Sequence, residues 1–203
     1  STPNTIKIDE QIIHDIPQLS LEENSILTAD FLVKEVYDAI SQMELNKAPG
    51  PDGFPAEFYK TFWEVIRNDL MALFVQLKQG HLSLFKLNFG VITLLPKKEN
   101  AVQIQQYRPI CLINVSFKIF TKVGTNRITE FAQKIIRPTQ SAFMPGRHIL
   151  EGVVVLHETI HELHRKKMDG VIFKIDFEKA YDKVKWPFLQ QALHMKGFAH
   201  EWC

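Results

Sequence analysis

Apolar residues recur at three- and four-residue intervals in several stretches of the chain, and each such stretch predicts a helix with one buried face. Val33, Val36, Ile40 and Met43 predict the first, with Thr28 as its N-cap and an end near Glu44; residues 1–27 carry no strong period. Ile66, Leu70, Leu73 and Leu77 predict a second, opened by Pro55 as its first residue and stopped by Gly80, with Asn68-Asp69 as a possible break. A third runs from a Ser116 cap to about Ile135, where Arg137-Pro138 closes it. Ile149, Val153, Leu156, Ile160 and Leu163 predict a long amphipathic helix, and Trp186-Pro187 opens a last one that Gly197 ends.

Two short β-branched runs break the helical pattern. Residues 89–95 (FGVITLL) and 171–175 (VIFKI) read as buried strands, the first delivering Pro96-Lys97-Lys98 to a turn and the second ending at Asp176. Between the elements, residues 46–55 hold three prolines and two glycines and must form a loop, as must residues 141–147 around Met144-Pro145-Gly146-Arg147. Helices alternating with few strands predict an α/β or α+β class. The sheet looks incomplete, since a buried strand wants neighbours on both sides and few other strand candidates are present.

Composition narrows this picture only slightly. With 203 residues, 45% of them hydrophobic, the chain can bury a core and is not a disordered polymer. Cys111 and Cys203 have no CxxC spacing, which argues for reduced thiols rather than a disulfide framework or a thiolate zinc site. No apolar run approaches the roughly 20 residues of a membrane span, so no membrane partner is expected. The first residues lack the order of a signal peptide, which leaves a nuclear or cytoplasmic compartment open.

Charge is more informative when divided along the chain. Residues 1–44 hold nine acids against two bases, whereas residues 97–137 hold eight bases against Glu99 and Glu130, a net +6. That basic stretch is interleaved with Tyr107, Phe117, Phe120 and Phe131. It could follow a phosphate backbone while the aromatic residues fill a core or stack on bases, or it could be a solvated helix face.

Candidate chemistry gathers at few places. A carboxylate at the end of a hydrophobic strand, as Asp176 is expected to be, stands where many phosphoryl-transfer sites hold magnesium, and the following turn to Tyr181 could face a triphosphate with its N–H groups. The alternative is that Asp176 caps the following turn. One aspartate cannot hold two metals, and Asp182 reads as a structural acceptor. His157-Glu158-Thr159-Ile160-His161 fits H-E-x-x-H, a zinc metalloprotease pattern, with His164 extending the face and no third-ligand motif evident. Trp63 and Phe74 read as core; His81, His148 and His194 as isolated surface or satisfied residues; Phe143 as a packing anchor or a contact for nucleic acid.

Five separated segments, taken together and in this order, resemble the reverse transcriptase domain of non-LTR (LINE-type) retrotransposons in its plant-like form. They are NKAPGPDGFPAEFYK (46–60), VITLLPKKEN (91–100), YRPICLINVSFKIFTKV (107–123), QSAFMPGRHI (140–149) and FKIDFEKAYDKVKWPFL (173–189). The resemblance covers about residues 28–200 and implies a partial right-hand polymerase. The fold class is then α+β, helix-rich with an incomplete sheet: an acidic N-terminal segment with a helix (1–44), a fingers-like region with part of the palm (45–167), and the first palm strand with its following helix (168–203).

The resemblance also implies roles. Asp176 would be the first catalytic aspartate and a ligand of both ions of a two-metal Mg2+ site, with the backbone carbonyl of Phe177 as a further ligand. Tyr181, beside Ala180, would lie beneath the incoming sugar and exclude a 2′-hydroxyl. Lys97 and Arg108 would bind the triphosphate of the dNTP, the planar guanidinium bidentately and the lysine as a point charge. Lys47 in its Pro/Gly loop, and Gly146 with Arg147, would lie near an RNA template and DNA primer.

The family's polymerase also carries a strand turn with two adjacent aspartates, and no Asp-Asp pair occurs in these residues. The expectation is therefore part of a larger retroelement polyprotein that does not polymerise by itself. A catalytically dead remnant that binds nucleic acid nonspecifically is the alternative, and a zinc protease a remote one.

Overall fold

Ser20 opens the first helix by a reciprocal arrangement. Its Oγ accepts the Glu23 N–H at 3.2 Å, and a Glu23 carboxylate oxygen accepts the Ser20 N–H at 2.6 Å. The helix that follows, α1 (Leu21–Thr28), falls where no period was expected, and Thr28 is its last residue rather than the cap of the next. The next helix, α2 (Val33–Ser41), starts later, with the Leu32 N–H donating to Glu35 at 2.8 Å. These coordinates are a computed structural model that describes residues 17–177 and 180–203.

The remaining helices follow the apolar stripes closely. Pro55 stands just before α3 (Ala56–Thr61), and α4 (Trp63–Lys78) runs unbroken through Asn68-Asp69, the break falling at Phe62 instead. Gly80 adopts φ +71°, which lets the chain turn away after α4. A short α5 (Leu84–Leu87) precedes β1 (Gly90–Pro96), a 3-10 turn (Ile104–Gln106) precedes β2 (Tyr107–Ile113), and then come α6 (Val115–Ile135), α7 (Ile149–Arg165) and α8 (Trp186–Met195). The class is α+β, as expected: helix-rich with a small sheet. No helix among the described residues is long and apolar enough to cross a membrane.

β1 and β2 pair antiparallel with Gly90 opposite Ile113, Leu95 opposite Arg108 and Pro96 opposite Tyr107. The expected strand at 89–95 is present, shifted by one residue. β2 was not foreseen as a strand because Arg108-Pro109 interrupts its apolar pattern; a proline is tolerated in a two-stranded ribbon, where every strand is an edge.

The strand expected over 171–175 is not formed. Residues 171–177 have no regular structure, and Val171, Phe173 and Ile175 are 78%, 82% and 72% exposed. A strand is held by the N–H and C=O groups of its neighbours, and among the described residues β1 and β2 bond only to each other. The amphipathic stripe of α7 is likewise present but uncovered, with no buried residue in the helix.

The chain divides into two units, residues 29–127 and residues 1–28 with 128–203. In the first, Val36 and Ile40 of α2, Tyr59 of α3, Trp63, Leu70 and Phe74 of α4, and Ile119, Phe120 and Val123 of α6 form one buried cluster. Trp63 and Phe74 are core residues, as their spacing indicates. Phe74 is fully buried between the rings of Phe31 and Phe120, with centroids 5.0 and 4.3 Å away.

The second unit has a smaller core of Leu19, Leu27, Ile135 and Phe198. Asn24 knits it together. Its amide donates to the Gly197 carbonyl at 2.6 Å and its oxygen accepts the Ala199 N–H at 2.7 Å, so one side chain ties α1 to the turn after α8. Gly197, at φ +78°, makes that turn possible.

Candidate nucleotide and nucleic-acid site

The β1–β2 ribbon brings together two cations that are eleven residues apart in sequence. Arg108 lies on β2 opposite Leu95, and the Lys97 N–H donates to the Gln106 carbonyl at 2.7 Å, continuing the ladder one step past β1. Because side chains alternate along a strand, Lys97, Leu95 and Arg108 share one face. Both cations are exposed. Lys97 Nζ donates to the Gln105 carbonyl at 2.8 Å, and neither residue forms an ion pair among the described residues. Like charges on neighbouring positions of one face repel, and an anion placed between them removes that cost.

The Pro/Gly loop at 46–55 is ordered by contacts at both ends. At one, the Asn46 N–H donates to a Glu57 carboxylate oxygen, which holds the Glu57 carboxyl below its usual range. At the other, the Asp52 N–H donates to Asn114 Oδ1 at 3.2 Å, the Asp52 carboxylate accepts the Phe54 N–H at 3.1 Å, and the Gly53 N–H closes a turn on the Gly50 carbonyl. Gly50 lies flat against the backbone of Ile113 and Asn114, leaving no room for a Cβ. Lys47 is exposed on this loop and pairs with Glu44 at 3.0 Å.

Arg147 shows a different use of charge. Its Nε donates to Gln133 Oε1 at 2.9 Å; Nη1 donates to the carbonyls of Arg137 and Gln140 at 2.6 and 2.8 Å; Nη2 donates to the carbonyls of Ile136 and Gln133 at 3.0 and 3.4 Å. The guanidinium therefore satisfies carbonyls in the last turn of α6 and in the segment just after it. It pins the 138–147 loop there, while Gly146 at φ +74° supplies the turn before it. Phe143 is fully exposed at φ +62° and anchors nothing; Met144 is the buried residue of this loop.

Asp176 and Phe177 are exposed and lie in the segment without regular structure, so the strand-end argument for Asp176 does not hold. Ala180 and Tyr181 begin an exposed turn, with the Tyr181 ring 95% exposed. Glu178 and Lys179, between them, lie outside the described residues. No group of three or more His, Cys, Asp or Glu side chains that could hold a metal occurs among the described residues, His157, His161 and His164 included.

The basic stretch divides on inspection. Arg127 is buried, its guanidinium bonded to Glu35, to the carbonyls of Ala29 and Asp30, and stacked 4.3 Å above the Phe31 ring. Lys134 pairs with Glu23 at 2.7 Å. Phe120 is core, Phe131 packs against the smaller core, and the Tyr107 hydroxyl donates to the Ala101 carbonyl at 2.8 Å. Lys98, Lys118, Lys122 and Arg137 form no ion pair among the described residues, and these with Lys97 and Arg108 are the cations left for a ligand.

Residues 95–203 match the family model described as reverse transcriptase (RNA-dependent DNA polymerase), which takes in β2, the 138–147 loop and the segment with Asp176. The chain belongs to the reverse transcriptase family. It is 30% identical over 200 residues to a Xenopus laevis protein named as the transposon TX1 uncharacterized 149 kDa protein, covering 97% of this chain. It is 26% identical over 157 residues to the putative 115 kDa protein of the type-1 retrotransposable element R1DM of Drosophila melanogaster, covering 76% of this chain. It is also 27% identical over 162 residues to the Pol polyprotein of element R2 of Nasonia vitripennis, covering 78% of this chain. The chain spans 15% of the length of each of these relatives. Such relatives agree with the non-LTR retrotransposon branch; the plant-like form rests on the motifs alone.

Three functional features were missed from sequence. The pairing partner of the Lys97 strand, the Asn114 contact and the burial of Arg127 all depend on residues distant in the chain. None of the three leaves a local signal in the sequence; the unexpected α1 start does, in the Ser20-x-x-Glu23 box.

Proposed function

We propose that this chain is the fingers side and beginning of the palm of an RNA-directed DNA polymerase from a non-LTR retrotransposon, acting on an RNA template, a DNA primer and a dNTP as part of a longer polyprotein. The observation that carries this reading is the shared face of Lys97 and Arg108 on the β1–β2 ribbon, two cations with no ion pair among the described residues and suited to a triphosphate. Arg108 would take two phosphate oxygens through its planar fork, and Lys97 would add a point charge.

Asp176, with the Phe177 carbonyl, would hold Mg2+. A single exposed carboxylate and a carbonyl suit one share of an oxygen-ligand site, and the further carboxylates of a two-metal site have to come from other residues. Bound magnesium would supply charge neutralisation at the phosphate and a lower pKa for the attacking 3′-hydroxyl. The work of this chain's own residues is then binding and orientation: the cations fix the triphosphate, Tyr181 and Ala180 bear on the sugar, and Lys47 lies near the template. Arg147 would contribute by holding the 138–147 loop in place, with Gly146 presenting backbone to nucleic acid. The 203 residues hold no adjacent pair of aspartates, so the chain alone is proposed not to polymerise.

Primer extension on an RNA template with Mg2+, using the full polyprotein, tests the reading. Incorporation that Asp176→Asn abolishes supports it. RNA binding without incorporation by the full polyprotein would point instead to a catalytically dead remnant.

A further inference from the structure

Asn114 occupies the single position between β2 and α6, where an asparagine ordinarily turns its side-chain oxygen onto the first N–H groups of the helix. Here its backbone carbonyl accepts the Lys118 N–H at 3.2 Å, but Oδ1 accepts the Asp52 N–H from a loop 62 residues away. Gly50 of the same loop presses on the Asn114 and Ile113 backbone so closely that a methyl group there would overlap both. Two residues further on, Ser116 hydrogen-bonds the hydroxyl of Tyr59, a buried residue of α3. The β2–α6 junction is therefore gripped by the loop and by α3.

The ribbon is anchored at this end, and at the other the hydrogen bonds among the described residues stay within the ribbon and its own connecting turn. Gly90 pairs with Ile113 at the gripped end, and Lys97 and Arg108 lie near the opposite end. Asn114 follows Arg108 by six residue steps along the strand, roughly 20 Å at the rise of an extended chain. The ribbon's residues are largely exposed, Ile92 by 66% and Leu95 by 46%, and a two-stranded ribbon is marginal without support. A small rotation at its base is thus magnified at its cationic end.

We propose that Asn114 is a positioning residue for nucleotide binding: by tying the 46–53 loop to the base of the β1–β2 ribbon it sets where Lys97 and Arg108 stand. This rests on the assignment of those two cations to the triphosphate. The same tie fixes Lys47's loop against the ribbon, so the template-side loop and the nucleotide-side cations move as one piece.

Two measurements test it. Amide hydrogen exchange on this chain should show faster exchange in Asn114→Ala at Asp52 and also at the Lys97 and Leu95 amides of the ribbon. Exchange in α2 and α4 should stay unchanged, and Asn114→Asp, which keeps the acceptor, should restore protection. Gly50→Ala attacks the contact from the loop side and should speed exchange at the same ribbon amides beyond whatever its general destabilisation adds in α2 and α4; it decides the matter if Asn114→Ala does not fold. Faster exchange confined to the loop, or spread uniformly through α2 and α4, would overturn the proposal.

In the full polyprotein, Asn114→Ala should raise the KM for dNTP on the order of tenfold with kcat little changed, and Asn114→Asp should recover it. Combined with Arg108→Ala it should add nothing further, since the misplaced group is already gone. Lowered kcat at unchanged KM would also overturn the proposal. A wild-type polyprotein without incorporation would sink the polymerase reading, while the exchange pattern would still decide whether the tie reaches the ribbon.

Discussion

Arg127 and Glu35 lie fork to fork, with Nε 2.7 Å from Oε1 and Nη2 2.8 Å from Oε2, and the arginine side chain is only 7% exposed. The remaining guanidinium edge faces the carbonyls of Ala29 and Asp30, so the positive charge has acceptors on every side. This pair holds the start of α2 against α6 within the first unit. A cation that reads in sequence as part of a phosphate-binding stretch is a structural centre.

Truncating Arg127 leaves the Glu35 carboxylate and two carbonyls without donors in a largely buried place. Arg127→Ala should destabilise the first unit by about 3 kcal/mol or more, and Arg127→Lys should recover only part of that because an ammonium cannot match the fork. Urea unfolding of the variants measures this. A loss within the range of an ordinary surface pair, under about 1 kcal/mol, would contradict the buried geometry.

The same pair sets an acid limb. The hydrogen bond from Arg127, and secondarily the Leu32 N–H, hold the Glu35 carboxyl below its ordinary value of 4.5 against the opposing effect of burial. The folded form therefore binds this proton less readily than the unfolded one. The stabilisation is present above the ordinary value and is lost as pH falls through the lowered one. Unfolding midpoints between pH 6 and about 3 should drop less steeply in Glu35→Gln than in the wild type. Parallel curves would show that other carboxylates govern the limb.

Two glycines of one loop should respond differently to alanine. Gly53 adopts φ +75° with open space around it, so Gly53→Ala costs only the backbone penalty of about 1 kcal/mol. Gly50→Ala drives a methyl group into the Ile113 and Asn114 backbone, which cannot give way as a flexible side chain would. A larger loss of thermal stability for Gly50→Ala than for Gly53→Ala checks this, and the reverse order would refute the close packing.

Lys97→Ala or Arg108→Ala in the full polyprotein should raise the KM for dNTP by about tenfold each, the weight of one charge-assisted contact. Tyr181→Val should admit ribonucleotides, because removing the ring opens the volume that a 2′-hydroxyl would fill. Steady-state kinetics with dNTP and rNTP reads both, and unchanged values would remove the assigned roles.

Arg147 should behave as a loop anchor. Arg147→Lys keeps the charge but cannot serve carbonyls of Gln133, Ile136, Arg137 and Gln140 together. It should therefore expose the 138–147 loop to limited proteolysis nearly as much as Arg147→Ala does. Full protection in Arg147→Lys would show that charge alone matters there.

Much of the helical framework was legible because its cause is local. The C-terminal end of α6, the apolar span of α7, the start of α8 and the stop at Gly80 follow from periodic apolar residues and from residues suited to helix ends, whereas α6 begins at Val115, ahead of the Ser116 expected to cap it. α1 was readable too, but through a four-residue capping pattern rather than a period. The candidate site was legible only as residue types in order. Lys97, Arg108 and Asp176 stand out in their motifs, yet nothing in those motifs says that Lys97 and Arg108 share a ribbon face.

Chain order and residue type by themselves determined the longer helices, the loops, the first strand and the family to which the motifs belong, because propensity, capping and periodicity act over a few residues. Tertiary structure alone decided which cations are exposed and which are buried, that Asn114 receives a loop from 62 residues away, and that Arg108-Pro109 lies in a strand. It also decided that 171–175 does not form one among the described residues, for a β-strand exists only by bonding to another strand, and apolar, β-branched residues express a preference that a partner must complete.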